Sequence, residues 1–320
     1  MLKTTLQTPY PCDFNLTIGH QTFFRGRAGA DLVVDGTYYR AIRRGPKVLA
    51  ITAREAGPGQ VEITLPLGGT SADLAFATKT MAHLLAFDIE LSGFYEMLGR
   101  DHALSKVADM LRGLRPTRSE TVFEALMIAI IGQQISSVVA QMIRDGIVET
   151  FGTPVIVDGY TLFAFPTPES LFNADPEALR AQKLSSRKVE YAQGAARRAA
   201  EGELEFDRFA ALDDEEVIAE LIKIRGVGRW TAEWVLIRAL GRIVVLPAGD
   251  LALRRVVSNL YFEGATINET ELADFGEKQW APYRGLATTY LFSFLRQRRA
   301  AGQPNEPEAA PLLARGAGNT

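Results

Sequence analysis

The chain has 320 residues, of which 47% are hydrophobic and 23% charged, with a formal net charge of −3. That length predicts two or three domains with ample material for packed cores. A single cysteine, Cys12, and scattered histidines at His20, His83 and His102 exclude an internal disulfide, a thiolate zinc site and an iron–sulfur cluster.

No apolar run reaches the roughly 18 residues that a membrane span requires. The opening MLKTTLQTPYPCDF lacks the apolar core of a signal peptide. A cytoplasmic, disulfide-free protein is expected. The first 70 residues read as strands: YPCDFNLTIGHQTFF, DLVVDGTYYRAIRR, KVLAITARE and QVEITLPL are β-rich runs separated by turn residues. Asp35-Gly36 and Pro58-Gly59 read as hairpin turns between antiparallel strands. From Ser71 onward apolar residues recur three and four apart, the helical period. The stretch 119–151 is the strongest helical signal, and Gly132-Gln133-Gln134 divides it into two helices meeting at a turn. TPVIVDGYTLFAFPTPESLF then reads as a Pro-rich connection. Helices are predicted over 176–184, 186–201, 213–222, 230–240, Leu251–Tyr261 and 272–299. The tail 301–320, rich in Pro, Ala and Gly, is expected to be disordered.

The overall charge argues against nucleic acid as a partner, but charge placement matters more than its sum. Lys223, Arg225, Arg229, Arg238, Arg242, Arg254 and Arg255 crowd one stretch against only Glu233 and Asp250. A second basic stretch, RAQKLSSRKVEYAQGAARR, covers 180–198, whereas acids gather in LDDEEVIAE. Such stretches are either solvated helix faces or a DNA footprint.

The segment LIKIRGVGRWTA at 221–232 contains G-x-G without the third glycine, and with a helix before it, so it is a poor dinucleotide fingerprint. Physically it is a helix, a tight turn holding Gly226 and Gly228, and a second helix. The turn offers backbone N–H groups to an anion, although an ordinary helix–helix corner also contains glycine. LPAGDLALRR follows at 246–255. Taken together, the two segments resemble the helix-hairpin-helix/Gly-Pro-Asp signature of the DNA glycosylase superfamily, and within it the 3-methyladenine DNA glycosylase II (AlkA-type) family. The likeness extends to IIGQQIS at 130–136, PESLF at 168–172 and WAPYRGLATTYLF at 280–292.

The resemblance implies an α+β fold: a small N-terminal antiparallel β-domain, 1–85, followed by a two-lobed all-α helix-hairpin-helix glycosylase body. One lobe would comprise 86–118 with 242–300, the other 119–241. It implies that Asp250 is the catalytic carboxylate, stabilising an oxocarbenium-like sugar and orienting water; an Asp before an apolar run is also an ordinary helix N-cap. Where bifunctional relatives carry a lysine after the hairpin, Trp230 stands here, which implies a monofunctional enzyme with no Schiff base and no lyase step. Trp230 and Trp234, four apart, form either an aromatic wall for a flipped cationic base or core packing. Trp280 and Tyr283 are candidates to complete the pocket.

Gln133 and Gln134 lie where the family carries its minor-groove plug, though a glutamine at 134 wedges less well than the leucine of the best-known members, and a plain helix junction is the other reading. Lys223, Arg225 and Arg229 are candidate phosphate contacts beside Gly226 and Gly228. By resemblance the carbonyls of Ile222, Ile224 and Val227 hold a monovalent cation; no cofactor is expected beyond such a structural Na or K ion. The implied activity is excision of N3- and N7-alkylated purines from duplex DNA by a monomeric, nucleoid-associated enzyme. A glycosylase for deaminated or oxidised bases, and a non-enzymatic helix-hairpin-helix DNA-binding protein, are the alternatives. Asp250 is the feature that speaks against the second.

Overall fold

The computed structural model describes residues 1–21 and 30–300; the expectation of disorder for 301–320 lies outside them. Strands β1 (Leu2–Gln7), β2 (Asp31–Val34), β3 (Thr37–Arg44), β4 (Lys47–Gly57) and β5 (Gln60–Leu65) form one antiparallel sheet in the order β1-β5-β4-β3-β2. Asp35 and Gly36 both adopt positive φ between β2 and β3, the backbone twist that a two-residue hairpin demands. The β4–β5 hairpin turns at Pro58-Gly59 as read from the sequence.

One expected strand is a helix instead. Helix α1 (Phe14–Gln21) buries Phe14, Thr17 and Ile18, a three-and-four spacing that belongs to a helix. Asp13 caps it, its carboxylate accepting the Leu16 N–H at 2.8 Å. Helix α2 (Ser71–Leu84) starts at a Thr70/Asp73 capping box and lays Ala77, Met81 and Leu84 on the sheet against Ile51 and Ile63.

Helices α3 (Ser92–Leu98), α4 (His102–Met110), α5 (Val122–Gly132) and α6 (Ser137–Phe151) follow. The Pro-rich connection expected next is a second hairpin, β6 (Thr153–Val157) and β7 (Tyr160–Ala164), turning on Asp158 and Gly159, both at positive φ. Its Val157, Leu162 and Ala164 cover Tyr39, Ala41 and Ala50 on the other face of the large sheet. The sheet is therefore buried on both faces, by α2 and by this hairpin.

The remaining helices are α7 (Pro168–Phe172), α8 (Pro176–Ala181), α9 (Ser186–Ala200), α10 (Phe206–Ala210), α11 (Asp214–Leu221), α12 (Arg229–Val235), α13 (Leu251–Tyr261), α14 (Glu269–Trp280) and α15 (Arg284–Ala300). The single helix expected over 272–299 divides at Pro282, which lacks the N–H an uninterrupted helix needs. Two apolar clusters hold the helical body. One gathers Leu126, Ile130, Ile147, Leu221, Ala232 and Leu236. The other gathers Phe94, Val107, Val257, Trp280, Tyr290 and Leu291.

A buried ionic network ties the sheet to the first cluster. Arg40 on β3 is 1% exposed, and its Nη2 donates to both oxygens of Glu124 on α5 at 2.9 Å. Glu120 lies 3.5 Å and Asp31 3.6 Å from the same guanidinium. Burial pushes the Glu120 carboxyl up to about 7 from the ordinary 4.5. The folded protein thus holds a proton there between those pH values that the unfolded chain has lost, so this group's contribution to stability falls as pH rises through that window.

Arg40→Met leaves those carboxylates buried without their cation. It is expected to cost about 3–5 kcal/mol in urea denaturation at pH 8. The cost shrinks at pH 5, where Glu120 binds a proton and needs no counter-charge.

Candidate active site

Helices α11 and α12 meet through the turn 222–228, where the Val227 N–H donates to the Ile224 carbonyl at 3.0 Å. Gly226 has φ +85°, and a Cβ there would overlap the Tyr191 ring, so glycine is required twice over. Gly228 is the extended N-cap residue of α12. Of the three carbonyls expected to hold a monovalent cation, that of Ile224 also accepts the Val227 N–H that closes the turn.

Gln133 reaches across to this hairpin. Its Nε2 donates to the Gly226 carbonyl at 2.9 Å and to Thr231 Oγ1 at 3.1 Å. Lys188 Nζ caps the end of α5, donating to the carbonyls of Ile131 and Gln133 at 2.7 and 2.6 Å. The structure thus uses Gln133 as a clamp between turn and hairpin. Gln134 is exposed, with φ +58°, an uncommon conformation for a residue other than glycine.

The basic residues of the hairpin are answered by carboxylates of this same chain. Lys223 Nζ is 2.5 Å from Glu220, and Arg225 pairs with Glu190. Arg229 donates through Nη1 to Glu215 at 3.0 Å and through Nε to Glu233 at 3.0 Å. Burial pushes the Glu233 carboxyl up to about 7, which the Arg229 charge partly opposes. The basic side chains of the hairpin are therefore charge-balanced within the chain.

Asp250 sits where the second segment turns into α13. Its Oδ1 accepts the N–H groups of Ala252 and Leu253 at 2.9 and 3.0 Å. Its Oδ2 accepts the indole N–H of Trp230 at 2.8 Å. The carboxylate is at once the N-cap of α13 and a wall of a cavity of about 450 Å³.

Trp230 and Trp234 line the same cavity, edge to face with ring centroids 6.4 Å apart. Phe292 of α15 joins them, 5.4 Å from the Trp234 ring. A π-helical turn (Leu236–Leu240) follows α12 and carries Arg238, whose guanidinium lies 5.7 Å over the Trp234 ring. Burial lowers the pKa of Arg238 to about 10. That of Arg296, four residues beyond Phe292 on α15, is lowered to about 9 by burial and by the charges of Arg238 and Arg299.

Two expected pocket residues lie elsewhere. Trp280 is fully buried and donates its indole N–H to Asp101 Oδ2 at 2.9 Å, within the second apolar cluster. Tyr283 packs on that cluster against Phe94 and over Gly93. Trp280, the last residue of α14, is thus a core residue, and Tyr283 is half-buried against the same core. Phe292, Arg238 and Arg296 were not singled out for the pocket by the sequence. The spacing of Phe292, Leu295, Arg296 and Arg299 marks one face of α15, the signal that points to it.

A family model described as HhH-GPD superfamily base excision DNA repair protein matches residues 127–282, spanning the hairpin and Asp250. A DNA-3-methyladenine glycosylase of Bacillus subtilis is 32% identical over 208 residues, 65% of this chain and 68% of that protein. The chain belongs to the HhH-GPD superfamily. A superfamily structure, the 3-methyladenine DNA glycosylase of Archaeoglobus fulgidus, superposes with a TM-score of 0.81 at 28% identity, covering 92% of this chain and 98% of that one. The Schizosaccharomyces pombe 3-methyladenine DNA glycosylase, solved with abasic DNA, matches with a TM-score of 0.53 at 27% identity over 68% of this chain and 97% of that one. The β-domain-plus-helices layout is thus that of HhH-GPD glycosylases, and DNA is the partner.

Gly226→Ala forces both an unfavourable φ and an overlap with Tyr191. In this HhH-GPD protein it is expected to cost about 2 kcal/mol or more in denaturant unfolding. It is also expected to weaken binding of an abasic duplex, read by fluorescence anisotropy.

Proposed function

We propose that this protein is a monofunctional glycosylase that flips alkylated purines out of duplex DNA and hydrolyses their bond to deoxyribose. The observation that carries the reading is the Asp250 carboxylate, fixed by two backbone N–H groups and the Trp230 indole at the wall of an aromatic cavity. The family membership and the named relatives support the substrate class.

A departing base leaves positive charge on C1′ and the ring oxygen of the sugar. Asp250 supplies a preorganised negative charge there, with no reorganisation at the moment of reaction. A water polarised by the same carboxylate adds to C1′, and the products are a free base and an abasic site. Trp230 occupies the position from which an amine would attack the sugar, so no covalent intermediate forms and no lyase step follows. Trp230, Trp234 and Phe292 offer rings on which the extruded base stacks. Gln134, exposed at the turn, is the residue assigned to the gap left in the duplex. The cavity opens between two helical lobes, 119–241 and 86–118 with 242–300, braced by residues 1–85. We place the enzyme as a monomer at the nucleoid.

Asparagine caps a helix about as well as aspartate, so Asp250→Asn separates the two roles of this side chain. The variant is expected to unfold within about 0.5 kcal/mol of the parent and to bind duplex DNA as before. Its release of 3-methyladenine or 7-methylguanine from methylated duplex, followed by chromatography, is expected to fall about 100-fold or more. A parent that binds DNA and frees no base is a binding module instead.

A further inference from the structure

We propose that Arg296 and Arg299 of α15, with the Ser137 hydroxyl of α6, hold a backbone phosphate of the duplex beside the gap that Gln134 fills. The proposal rests on the glycosylase reading above and adds an anchor for the strand while the base is out of the stack.

Arg296 and Arg299 are three residues apart, so their side chains leave one face of α15, and both line the cavity. Arg299 is exposed, and its Nη1 donates to Ser137 Oγ at 3.3 Å. That contact places the pair at the rim of the cavity. Ser137 is the exposed first residue of α6, three residues after Gln134. The first turn of α6 holds no acidic residue, and its N–H groups add partial positive charge at the same edge.

Other basic side chains around the site face carboxylates. Lys223, Arg225 and Arg229 pair with glutamates, and Arg118 and Arg144 pair with Asp88 and Asp31. The charges that act on Arg296 have the opposite sign. Burial and the cations Arg238 and Arg299 lower its pKa to about 9, so it stays protonated at neutral pH. Three guanidiniums thus repel one another along the cavity wall. A phosphate seated between Arg296 and Arg299 relieves that repulsion and accepts forked, charge-assisted hydrogen bonds from both. Its negative charge also offsets the guanidiniums beside the rings, which leaves Trp230 and Trp234 open to cationic purines. Such a contact positions the duplex without reading its sequence. Cations in a last helical turn also suit the helix dipole, a structural role that a binding experiment separates from this one.

The test titrates a fluorescent duplex carrying a tetrahydrofuran abasic site, across about 50–200 mM KCl, with the parent and three variants. These are Arg299→Gln, the double variant Arg296→Gln with Arg299→Gln, and Arg54→Gln, a distant control on β4. The slope of log Kd against log salt is expected to fall by about 1 for Arg299→Gln and about 2 for the double variant. Arg54→Gln is expected to keep the parental slope. Single uncharged methylphosphonates on either side of the abasic site then locate the contact. One such duplex is expected to bind the parent about tenfold more weakly than the unmodified duplex, and the double variant equally well.

A parental slope in the double variant overturns the proposal, as does an equal fall in Arg54→Gln. A methylphosphonate effect that persists undiminished in the double variant overturns it too. Circular dichroism reports folding; if the double variant does not fold, Arg299→Gln, altered at an exposed position, decides by the same criteria. None of these measurements needs catalysis. A parent with the arginine-dependent slope that frees no base from methylated duplex therefore loses the glycosylase reading alone.

Discussion

Asp250 is the constraint around which the rest of the molecule is arranged, because each of its oxygens is held by a different part of the chain. Oδ1 is bound by the first N–H groups of α13, which orient the carboxylate relative to one helical cluster. Oδ2 is bound by the indole of Trp230, which belongs to α12 and packs with the other side of the cavity. Two hydrogen bonds from backbone N–H groups and one from an indole N–H hold the carboxylate. They also leave it little freedom to rotate. A negative charge fixed in advance is what an oxocarbenium-like transition state rewards, since the protein does not have to reorient dipoles as the charge develops.

Holding that carboxylate in place requires the helices around it to be rigid, and several polar contacts serve that end. Gln133 and Lys188 lock the end of α5 to the hairpin and to α9. Gly285 brings the first turn of α15 against the backbone of Arg242 and Ile243, where a Cβ would sit 3.0 Å from their carbonyl oxygens. Phe292 and Arg296 project from the same helix toward the cavity. On the far side, Arg40 joins the sheet to α5, and Asp31 joins it to Arg144 in the cavity lining. The β-domain therefore reaches the site indirectly, through charged side chains buried at its junction with the helical body.

Electrostatics also resolves an apparent contradiction. A net charge of −3 suits neither a DNA partner nor an anion-gripping hairpin. The hairpin's lysine and arginines, however, are balanced by nearby glutamates. Five arginines line the cavity beside one carboxylate, Asp250.

Much of this was legible in the residues alone. The Asp35-Gly36 turn, the break at Gly132-Gln133-Gln134, and the glycines at 226 and 228 are local signals, because turn geometry and helix periodicity depend on neighbours in the chain. Asp158-Gly159 carries the same turn signal as Asp35-Gly36, but the prolines around it give the β6–β7 hairpin the composition of a connection. Helix α1 was masked by β-branched and aromatic residues whose three-and-four spacing outweighed their strand preference.

The site divided along the same line. Asp250, Trp230 and Trp234 lie within 21 residues of one another and came from motif and spacing. Phe292 and the true places of Trp280 and Tyr283 depend on how α14 and α15 fold back over the body, a matter of long-range packing that no local pattern encodes. What the sequence by itself determined was the elements, the turns and the carboxylate, since those follow from bonds and neighbours along the chain. Which aromatic rings and which charges line the cavity was decided only by tertiary structure, because burial is a property of the assembled fold.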